Sequence, residues 1–303
     1  MAKTALVYCD EALRHNTGNY HPESPLRLKA LKKAFEEQGL QLPTIRPIPA
    51  SRDDLLRIHT PGHVDTIETC CNNGHTYPDY DTVMGAGSWK AALLSAGAGI
   101  TACKAVLDGQ ADNVFVMMRP PGHHAEPATA MGFCLFNNIA IAARWLRDAG
   151  RASRVAILDF DVHHGNGTQD AFYDDESVFF ISLHEYPHFP GTGFPYERGK
   201  DNTTLNIQMP PGCSPEQWTK TIRGVVVPQL ELFAPDFLLL STGFDGHRLD
   251  PLGNQLLEAE DYGEITRMVK HIANGRIVSF LEGGYHLEAL GQCAIQHVQA
   301  LMA

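Results

Sequence analysis

The side chains best suited to chemistry in this chain are histidines, aspartates and a tyrosine that stand directly after short apolar runs. The segments that follow these runs are Arg119-Pro-Pro-Gly-His-His124, Asp161-Val-His-His164, His184-Glu185, Thr242-Gly-Phe-Asp245 and Glu282-Gly-Gly-Tyr285. The chain has 15 histidines among 303 residues, a high number that favours a metal site or acid–base chemistry. Imidazole and carboxylate groups in these positions predict a site that binds a metal ion and transfers protons.

Asp161 and His163 are spaced as two ligands of one ion. If the preceding strand continues through them, residues two apart point to the same face, and Asp245 adds a third ligand. One imidazole and two carboxylates suit Zn²⁺ or Fe²⁺, and three protein ligands leave a position for water and substrate. Asp-x-His alone is as easily a hydrogen-bonded pair at a strand end, but Asp245 favours the metal. Asp159 either orients an imidazole or only closes the strand end.

The pair His123 and His124 supplies the proton-transfer groups that amide hydrolysis requires. A bound zinc ion acts as a Lewis acid and lowers the pKa of its water, while one neutral histidine serves as base and a charged one gives electrostatic support. The turn Pro120-Pro121-Gly122 aims both rings at one point. Tyr285 follows two glycines, which allow close approach to a ligand. Its phenol is either an oxyanion donor or a core group with a satisfied hydroxyl.

These groups must be held by an alternation of strands and helices. The predicted strands are Ala5–Tyr8, Val114–Met118, Val155–Phe160, Val178–Leu183, Phe237–Ser241 and Ile277–Leu281. The predicted helices are Pro25–Gln38, Ser88–Leu107, Asn137–Ala149, Pro215–Phe233, Asp261–Asn274 and Leu287–Met302, and the segment Tyr186–Asn202 is predicted to be a long loop. The alternation is typical of a parallel α/β sheet, whose ligands bind beyond the carboxyl ends of the strands. We expect a single domain over residues 1–303.

Composition limits the class of protein. The chain is 44% hydrophobic and can bury a large core, and its formal net charge of −11 argues against direct nucleic-acid binding. Its start has no signal-peptide pattern, and no apolar run approaches the roughly 18 residues of a membrane span. The seven cysteines lack repeated C-x-x-C spacing. We therefore expect a cytoplasmic protein with reduced thiols and no membrane partner.

Six motifs together resemble the histone deacetylase family. They are Arg119-Pro-Pro-Gly-His-His-Ala-Glu126, Gly132-Phe-Cys-Leu-Phe-Asn137, Asp159-Phe-Asp-Val-His-His-Gly-Asn-Gly-Thr-Gln169, Phe189-Pro-Gly-Thr-Gly193, Gly243-Phe-Asp245 and Leu281-Glu-Gly-Gly-Tyr285. The third and the last resemble class II members and their bacterial relatives. The resemblance extends from about Tyr20 to the C-terminus. It implies the arginase/deacetylase fold, an α/β architecture with a central eight-stranded parallel sheet flanked by helices.

The resemblance also implies a role for each matching residue. The metal ligands, for zinc or alternatively ferrous iron, are matched by Asp161, His163 and Asp245. The catalytic groups are matched by His124 as general base and acid, His123 as its charged partner beside Asp159, Asn166 as the residue that orients the second histidine, and Tyr285 as the oxyanion donor.

Three further groups of residues match the surroundings of that site. The walls of an acetyl-lysine channel are matched by Gly132, Phe133 and Phe189, with Leu252 at the rim. A structural potassium site is matched by Asp159, Asp161, His163, Ser182 and Leu183. Arg27 resembles an arginine near the exit for acetate.

Two departures from the family pattern bear on the substrate. Members that act on acetylpolyamines carry a gatekeeper glutamate in an Asp-Pro-x-Gly turn, where this chain has Leu252. An apolar rim suits a lysine stem. Conversely, Gly85-Ala-Gly87 offers no side-chain acceptor for a substrate backbone, and His286-Leu-Glu288 resembles the polyamine-specific branch. The sequence therefore leaves two classes of substrate open, acetyl-lysine and acetylpolyamines.

The leading interpretation is a metal-dependent deacetylase of N-ε-acetyl-lysine in peptides or proteins. The alternative is a deacetylase of small acetylated amines, including acetylpolyamines. A catalytically weak acetyl-lysine-binding protein is expected to carry histidine in place of Tyr285, and a binuclear manganese ureohydrolase is expected to carry aspartate in place of Gly165. The oligomeric state is left open, with a homo-oligomer among the alternatives.

Overall fold

The computed structural model describes residues 2–18, 20–73 and 81–303. Its strands are β1 (Thr4–Val7), β2 (Thr44–Ile45), β3 (Asn113–Val116), β4 (Val155–Asp159), β5 (Val178–Glu185), β6 (Thr204–Met209), β7 (Phe237–Thr242) and β8 (Ile277–Leu281). They form one sheet in the order β2-β1-β3-β8-β7-β4-β5-β6, and every pairing in it is parallel. The predicted eight-stranded parallel sheet is confirmed.

Helices connect the strands. They are α1 (Pro25–Glu37), α2 (Arg52–Leu55), α3 (Pro61–Asn73), α4 (Ser88–Leu107), α5 (Asn138–Asp148), α6 (Asn166–Phe172), α7 (Pro215–Thr221), α8 (Val227–Phe233), α9 (Ala259–Val269) and α10 (Leu287–Met302). A π-helical turn, Ile222–Val226, joins α7 to α8, and 3₁₀ segments cover Asp10–Arg14, Lys200–Asn202 and Ile272–Gly275. Two groups of helices result, since α4 packs against α5 while α10 packs against α1 and α9.

The central strands are buried along their whole length. Every residue of β3, β4, β5, β7 and β8 is buried. Strands covered on both faces become continuous apolar runs instead of alternating ones, and the sequence therefore located these five to within two residues. The strands β2 and β6 were not predicted. β2 has only two residues, and β6 is a partly exposed strand at the sheet edge.

The prediction of a single helix over Pro215–Phe233 is wrong. α7 ends at Thr221, the π-helical turn follows, and α8 begins at Val227. Pro228 lies in the first turn of α8. Because proline has no N–H and its ring clashes with the carbonyl four residues earlier, a regular α-helix is interrupted there. The wider π-helical turn accommodates it.

The helix predicted over Asp261–Asn274 is shifted. It begins two residues earlier and ends at Val269, and positive φ angles at Ala273 and Asn274 interrupt right-handed helical geometry beyond it. The other predicted helices agree with the structure to within one residue at each end, whereas α2, α3 and α6 were not predicted. The predicted loop Tyr186–Asn202 holds only the short 3₁₀ segment at its end.

α4 corrects the prediction that no apolar run is long enough for a membrane span. Its 20 residues pass that test by length and composition. In the fold, 67% of its apolar window is buried, and the helix packs against α5. A helix with this burial belongs to the core, and its apolar character reflects packing over most of its surface.

Candidate active site

The polar segments that follow the strands meet at one edge of the sheet. β3, β8, β7, β4 and β5 are consecutive neighbours, and all run in the same direction. Their carboxyl ends therefore lie side by side. The predicted catalytic and metal-binding side chains leave from these ends: His123, His124, Asp159, Asp161, His163, Asp245 and Tyr285.

Asp161, His163 and Asp245 form a buried cluster whose ligand atoms all lie within 4.8 Å of one another. His163 Nδ1 lies 3.0 Å from Asp161 Oδ1 and 3.2 Å from Asp245 Oδ2. Tetrahedral zinc has ligand atoms at about 2.0–2.1 Å, which places them about 3.3 Å from each other. The observed spacing fits a single ion held by all three residues.

The predicted strand geometry of Asp161 and His163 is wrong. β4 ends at Asp159, so the two residues do not share a strand face. Instead, the backbone N–H of His163 donates to Asp161 Oδ1 at 2.9 Å, and the N–H of Gly283 donates to Asp161 Oδ2 at 2.8 Å. This turn brings the imidazole back to the carboxylate. The ligands converge without a continued strand.

Asp245 gives the clearest indication that the cluster fits a cation. Its Oδ1 accepts the N–H of Val162 at 2.9 Å, whereas its Oδ2 is a buried atom without a hydrogen bond of good geometry to any described residue. Burial, and then the charge of Asp161, raise the pKa of Asp245. That is expected where two carboxylates face each other without a cation. A Cβ at Gly283 would lie 2.0 Å from Asp245 Oδ2, so glycine keeps this space open.

His123 and His124 lie beside the cluster, with ring centroids 3.9 Å apart. His123 Nδ1 is 2.9 Å from Asp159 Oδ2, and His124 Nδ1 is 2.8 Å from Asn166 Oδ1. Burial opposes charge on His123, but the carboxylates of Asp159 and Asp161 outweigh it and raise its pKa to about 10. Burial, and then the charge of His123, lower the pKa of His124 well below 6.5. The pair therefore combines a charged ring with a neutral one.

Tyr285 lines the same cavity as His124 and His163. Burial raises the pKa of its phenol well above 10, so the hydroxyl keeps its proton and can donate a hydrogen bond. The guanidinium of Arg27 lies over the ring at 4.9 Å, and the ring of Phe133 meets it edge-on at 5.8 Å. Tyr285 therefore borders the cavity with a protonated hydroxyl, and its role as oxyanion donor stays a prediction.

The structure places all four predicted channel residues around one cavity of about 290 Å³. They are Gly132, Phe133, Phe189 and Leu252. The ring of Phe189 meets that of His124 edge-on at 5.1 Å. Gly132 has a φ of +53°, and a Cβ there would lie 2.5 Å from the His124 ring. Both conformation and space therefore require glycine beside the ring of His124.

Sequence reasoning missed several residues of this site, three of which carry a titratable side chain. Asp81 and His188 line the cavity, and Asp250 accepts a hydrogen bond from the backbone of Tyr285. Asp81 is exposed and supplies a side-chain acceptor that Gly85-Ala-Gly87 lacks. His188 could have been predicted to line the cavity from its position next to Phe189, whereas no local pattern distinguishes Asp81.

Arg27 is fully buried behind Tyr285. It donates to the carbonyls of Gly284 and Glu282 and pairs with Glu23, which also accepts from Arg119. The two guanidinium groups therefore share one buried carboxylate. The role of Arg27 near an exit for acetate stays a prediction.

The five residues of the predicted potassium site are buried at the ends of β4 and β5. Asp159 and Ser182 are direct register partners, and Leu183 follows in β5. Ser182 Oγ lies 2.9 Å from His184 Nδ1. The geometry brings the predicted residues together, and the potassium ion stays a prediction.

Comparison with known proteins identifies the family. The Histone deacetylase domain profile matches residues 21–301. A "Probable deacetylase" of Archaeoglobus fulgidus is 40% identical over 296 residues, which cover 94% of this chain and 82% of that protein. The "Histone deacetylase 14, chloroplastic" of Arabidopsis thaliana is 36% identical over 334 residues, which cover 100% of this chain and 78% of that protein.

A solved structure agrees with the sequence relatives. The crystal structure of the HDA15 HD domain matches with a TM-score of 0.93 and 34% identity, over 99% of this chain and 91% of that chain. The chain belongs to the histone deacetylase family, has the arginase/deacetylase fold and is a hydrolase of the deacetylase class. The predicted family, fold and enzyme class are confirmed, while the roles of single residues stay predictions.

Proposed function

We propose that the protein removes the acetyl group from N-ε-acetyl-lysine in peptides or proteins. The observation that carries the proposal is that His163, a member of the metal cluster, lines the same cavity as Phe133 and Phe189. Two aromatic walls suit the apolar stem of a lysine side chain, which is readily buried while its head group is held elsewhere. The acetamide would then lie next to the cluster.

The proposed metal is zinc, held by Asp161, His163 and Asp245, with ferrous iron as the alternative because the same donors suit it. When bound, the ion polarises the acetamide carbonyl and lowers the pKa of a water molecule. The backbone N–H groups of Val162 and Gly283 hold the two carboxylates in place for this ion.

His124 is the proposed general base and acid. Asn166 Nδ2 donates to Glu126 Oε1 at 2.8 Å, so its Oδ1 faces His124 as an acceptor. His124 Nδ1 therefore carries hydrogen, and Nε2 keeps a lone pair that can take a proton from water and return it to the leaving amine. His123, kept charged by Asp159, stabilises negative charge as it develops.

Tyr285 is the proposed oxyanion donor. Its phenol keeps its proton because burial raises its pKa, and it lines the cavity together with His124. A donor aimed at the carbonyl oxygen contributes most when charge develops there, since water is excluded from the site.

The lining of the cavity supports a peptide substrate. Leu252 stands where a glutamate would attract a distant ammonium group, and exposed Asp81 offers a carboxylate to a substrate backbone N–H. The Asp81 carboxylate also favours the second candidate, hydrolysis of small acetylated amines, because it can pair with a cationic end. The two candidates therefore differ in what Asp81 binds.

Three further proposals concern the surroundings of the enzyme. A structural potassium ion is proposed at Asp159, Asp161, His163, Ser182 and Leu183, which are all buried and of which Asp159 and Ser182 are register partners on neighbouring strands. We propose that the protein does not bind nucleic acids directly, because its net charge of −11 would be repelled by their phosphates. All seven cysteines are free, which supports a reducing compartment. We propose the cytoplasm, with a plastid as the alternative that the chloroplastic relative suggests.

The test is a comparison of kcat/KM for the zinc-loaded protein on acetyl-lysine peptides, N-acetylputrescine and N8-acetylspermidine. We expect the peptides to be preferred by about tenfold or more, because specificity of this size needs only a difference of about 1.4 kcal/mol. A preference for the polyamines would replace the first candidate by the second. Hydrolysis of none of these substrates would contradict both.

A further inference from the structure

Asp250 accepts hydrogen bonds from two walls of the catalytic cavity. Its Oδ2 receives the backbone N–H of Tyr285 at 2.6 Å and that of His286 at 3.2 Å. Its Oδ1 receives the N–H of Leu252 at 3.0 Å. The residue is only 7% exposed. One buried carboxylate therefore joins the segment that carries the tyrosine to the turn that carries the channel leucine.

The segment before Tyr285 needs an anchor because two glycines precede it. A Cβ at Gly283 would collide with Asp245 Oδ2, and Gly284 has a φ of +114° at which a Cβ would lie 2.9 Å from Phe244. The metal cluster at Gly283 and the core residues at Gly284 thus leave room for glycine only. Glycine leaves the backbone with the greatest conformational freedom, so the direction of Tyr285 must be fixed by contacts from outside this segment.

The ring of Tyr285 also has contacts of its own, and these are with its face and its edge. Arg27 lies over the ring at 4.9 Å, and Phe133 meets it at 5.8 Å. Such contacts tolerate sliding of the ring by fractions of an ångström, whereas a short backbone hydrogen bond to a buried carboxyl oxygen does not. The Gly284–Tyr285 peptide is held at its carbonyl by Arg27 Nε at 2.7 Å and at its N–H by Asp250, so these two bonds together set the point from which the side chain extends.

We propose that Asp250 is a positioning residue that fixes Tyr285 so that its phenol reaches the carbonyl oxygen of the substrate. The inference rests on the proposed function of Tyr285 as oxyanion donor. Asp250 lies outside the metal cluster and is absent from the cavity lining formed by described residues. It acts through Tyr285, and its effect must vanish when the phenol hydroxyl is absent.

The test is a double-mutant cycle on kcat with Asp250→Asn and Tyr285→Phe in the metal-loaded protein. A displacement of about 1 Å in a catalytic group costs about 100-fold in rate, so we expect Asp250→Asn to lower kcat by about 10- to 100-fold. In the Tyr285→Phe background the same change should cost less than about threefold. A merely structural loss would lower kcat by the same factor in both backgrounds, and that outcome would overturn the proposal.

Asp236 provides a matched control. Its Oδ2 also accepts two backbone N–H groups, from Ser153 and Arg154, but at the opposite end of the sheet. Asp236→Asn should lower the melting temperature and leave kcat within about twofold in both backgrounds. If Asp250→Asn does not fold, Asp250→Glu keeps a carboxyl group but displaces it, and the cycle is read in the same way. If Tyr285→Phe alone leaves kcat unchanged, the proposed role of Tyr285 as oxyanion donor is wrong. That result differs from equal losses in both backgrounds, which contradict only the role of Asp250.

Discussion

Asn166 presents its amide oxygen to His124 and its amide nitrogen to Glu126. The two hydrogen bonds have equal lengths of 2.8 Å. Because the Glu126 carboxylate only accepts, it determines which way the amide of Asn166 faces. That orientation in turn determines which nitrogen of His124 carries hydrogen. A carboxylate outside the cavity lining thereby sets the tautomer of the proposed base.

Asn166→Ala should therefore lower kcat by about 10- to 100-fold, the usual cost of losing an orienting partner of an active-site imidazole. KM should change little, because Asn166 does not line the substrate cavity. Asn166→Asp keeps an acceptor for His124 but turns its second oxygen towards the Glu126 carboxylate, so most of the activity should return only when Glu126→Gln is added to it. The measurement is steady-state kinetics with metal content determined in parallel, and an alanine variant of normal kcat would contradict the role.

Asp245→Ala should release the metal and reduce hydrolysis by at least about 100-fold. The remaining ligands, Asp161 and His163, would form an incomplete site, and ligand loss costs more affinity than loss of an orienting partner. Metal per chain is measured by elemental analysis after dialysis. Asp236→Ala is the control for loss of a carboxylate elsewhere. Full occupancy and full rate in Asp245→Ala would place the ion at another site.

Tyr285→Phe should lower kcat by about 100-fold or more, the typical cost of removing one oxyanion donor. Metal content and the affinity for a hydroxamate inhibitor should fall much less than kcat, because the metal ligands are intact. A large loss of kcat with little loss of metal content or inhibitor affinity is the result that identifies an oxyanion donor. A variant that turns over at the normal rate would assign Tyr285 to the core.

Leu252→Glu should shift the substrate preference towards acetylated polyamines. The substitution places a carboxylate on the lining of the cavity, where it can pair with a distant ammonium group of the substrate. We expect the ratio of kcat/KM for N8-acetylspermidine over an acetyl-lysine peptide to rise by about tenfold. Leu252→Gln is the matched neutral control, and an equal shift in that variant would contradict a charge effect.

The stability of the protein should fall on acidification below pH 6.5, and His297 is one cause. It lies in the core with Nδ1 2.6 Å from Thr266 Oγ1 and Nε2 2.8 Å from Ser279 Oγ. Burial lowers its pKa to about 3, whereas an exposed histidine titrates near 6.5. In the window between these values the unfolded chain binds a proton that the folded protein does not, so the free energy of unfolding decreases.

From pH 7 to pH 5 this one residue should account for about 2 kcal/mol of lost stability. Denaturant unfolding of the wild type and of His297→Gln at both pH values measures it. The variant is expected to lose about 2 kcal/mol less than the wild type over that interval, while the other buried histidines contribute equally to both. Identical losses would show that His297 is protonated without penalty.

Much of the fold was predictable because the central strands are continuous apolar runs. The strand Ile277–Leu281 and the helices Ser88–Leu107 and Leu287–Met302 were predicted with their observed bounds. Prediction failed where local pattern was weak or locally misleading. Pro228 interrupts a segment that is otherwise helical, and β2 is too short to show a period.

The sequence by itself determined the family, the central strands of the sheet and many residues of the candidate site, because motif spacing and strand-end position are local properties of the chain. Only the tertiary structure decided that Asp161 reaches His163 through a turn beyond β4, and that Asp81 and His188 line the cavity. It alone brought Asp250 to the backbone of Tyr285, 35 residues away in sequence. Such contacts depend on how loops from different strands pack at one sheet edge, and no short-range pattern encodes that packing.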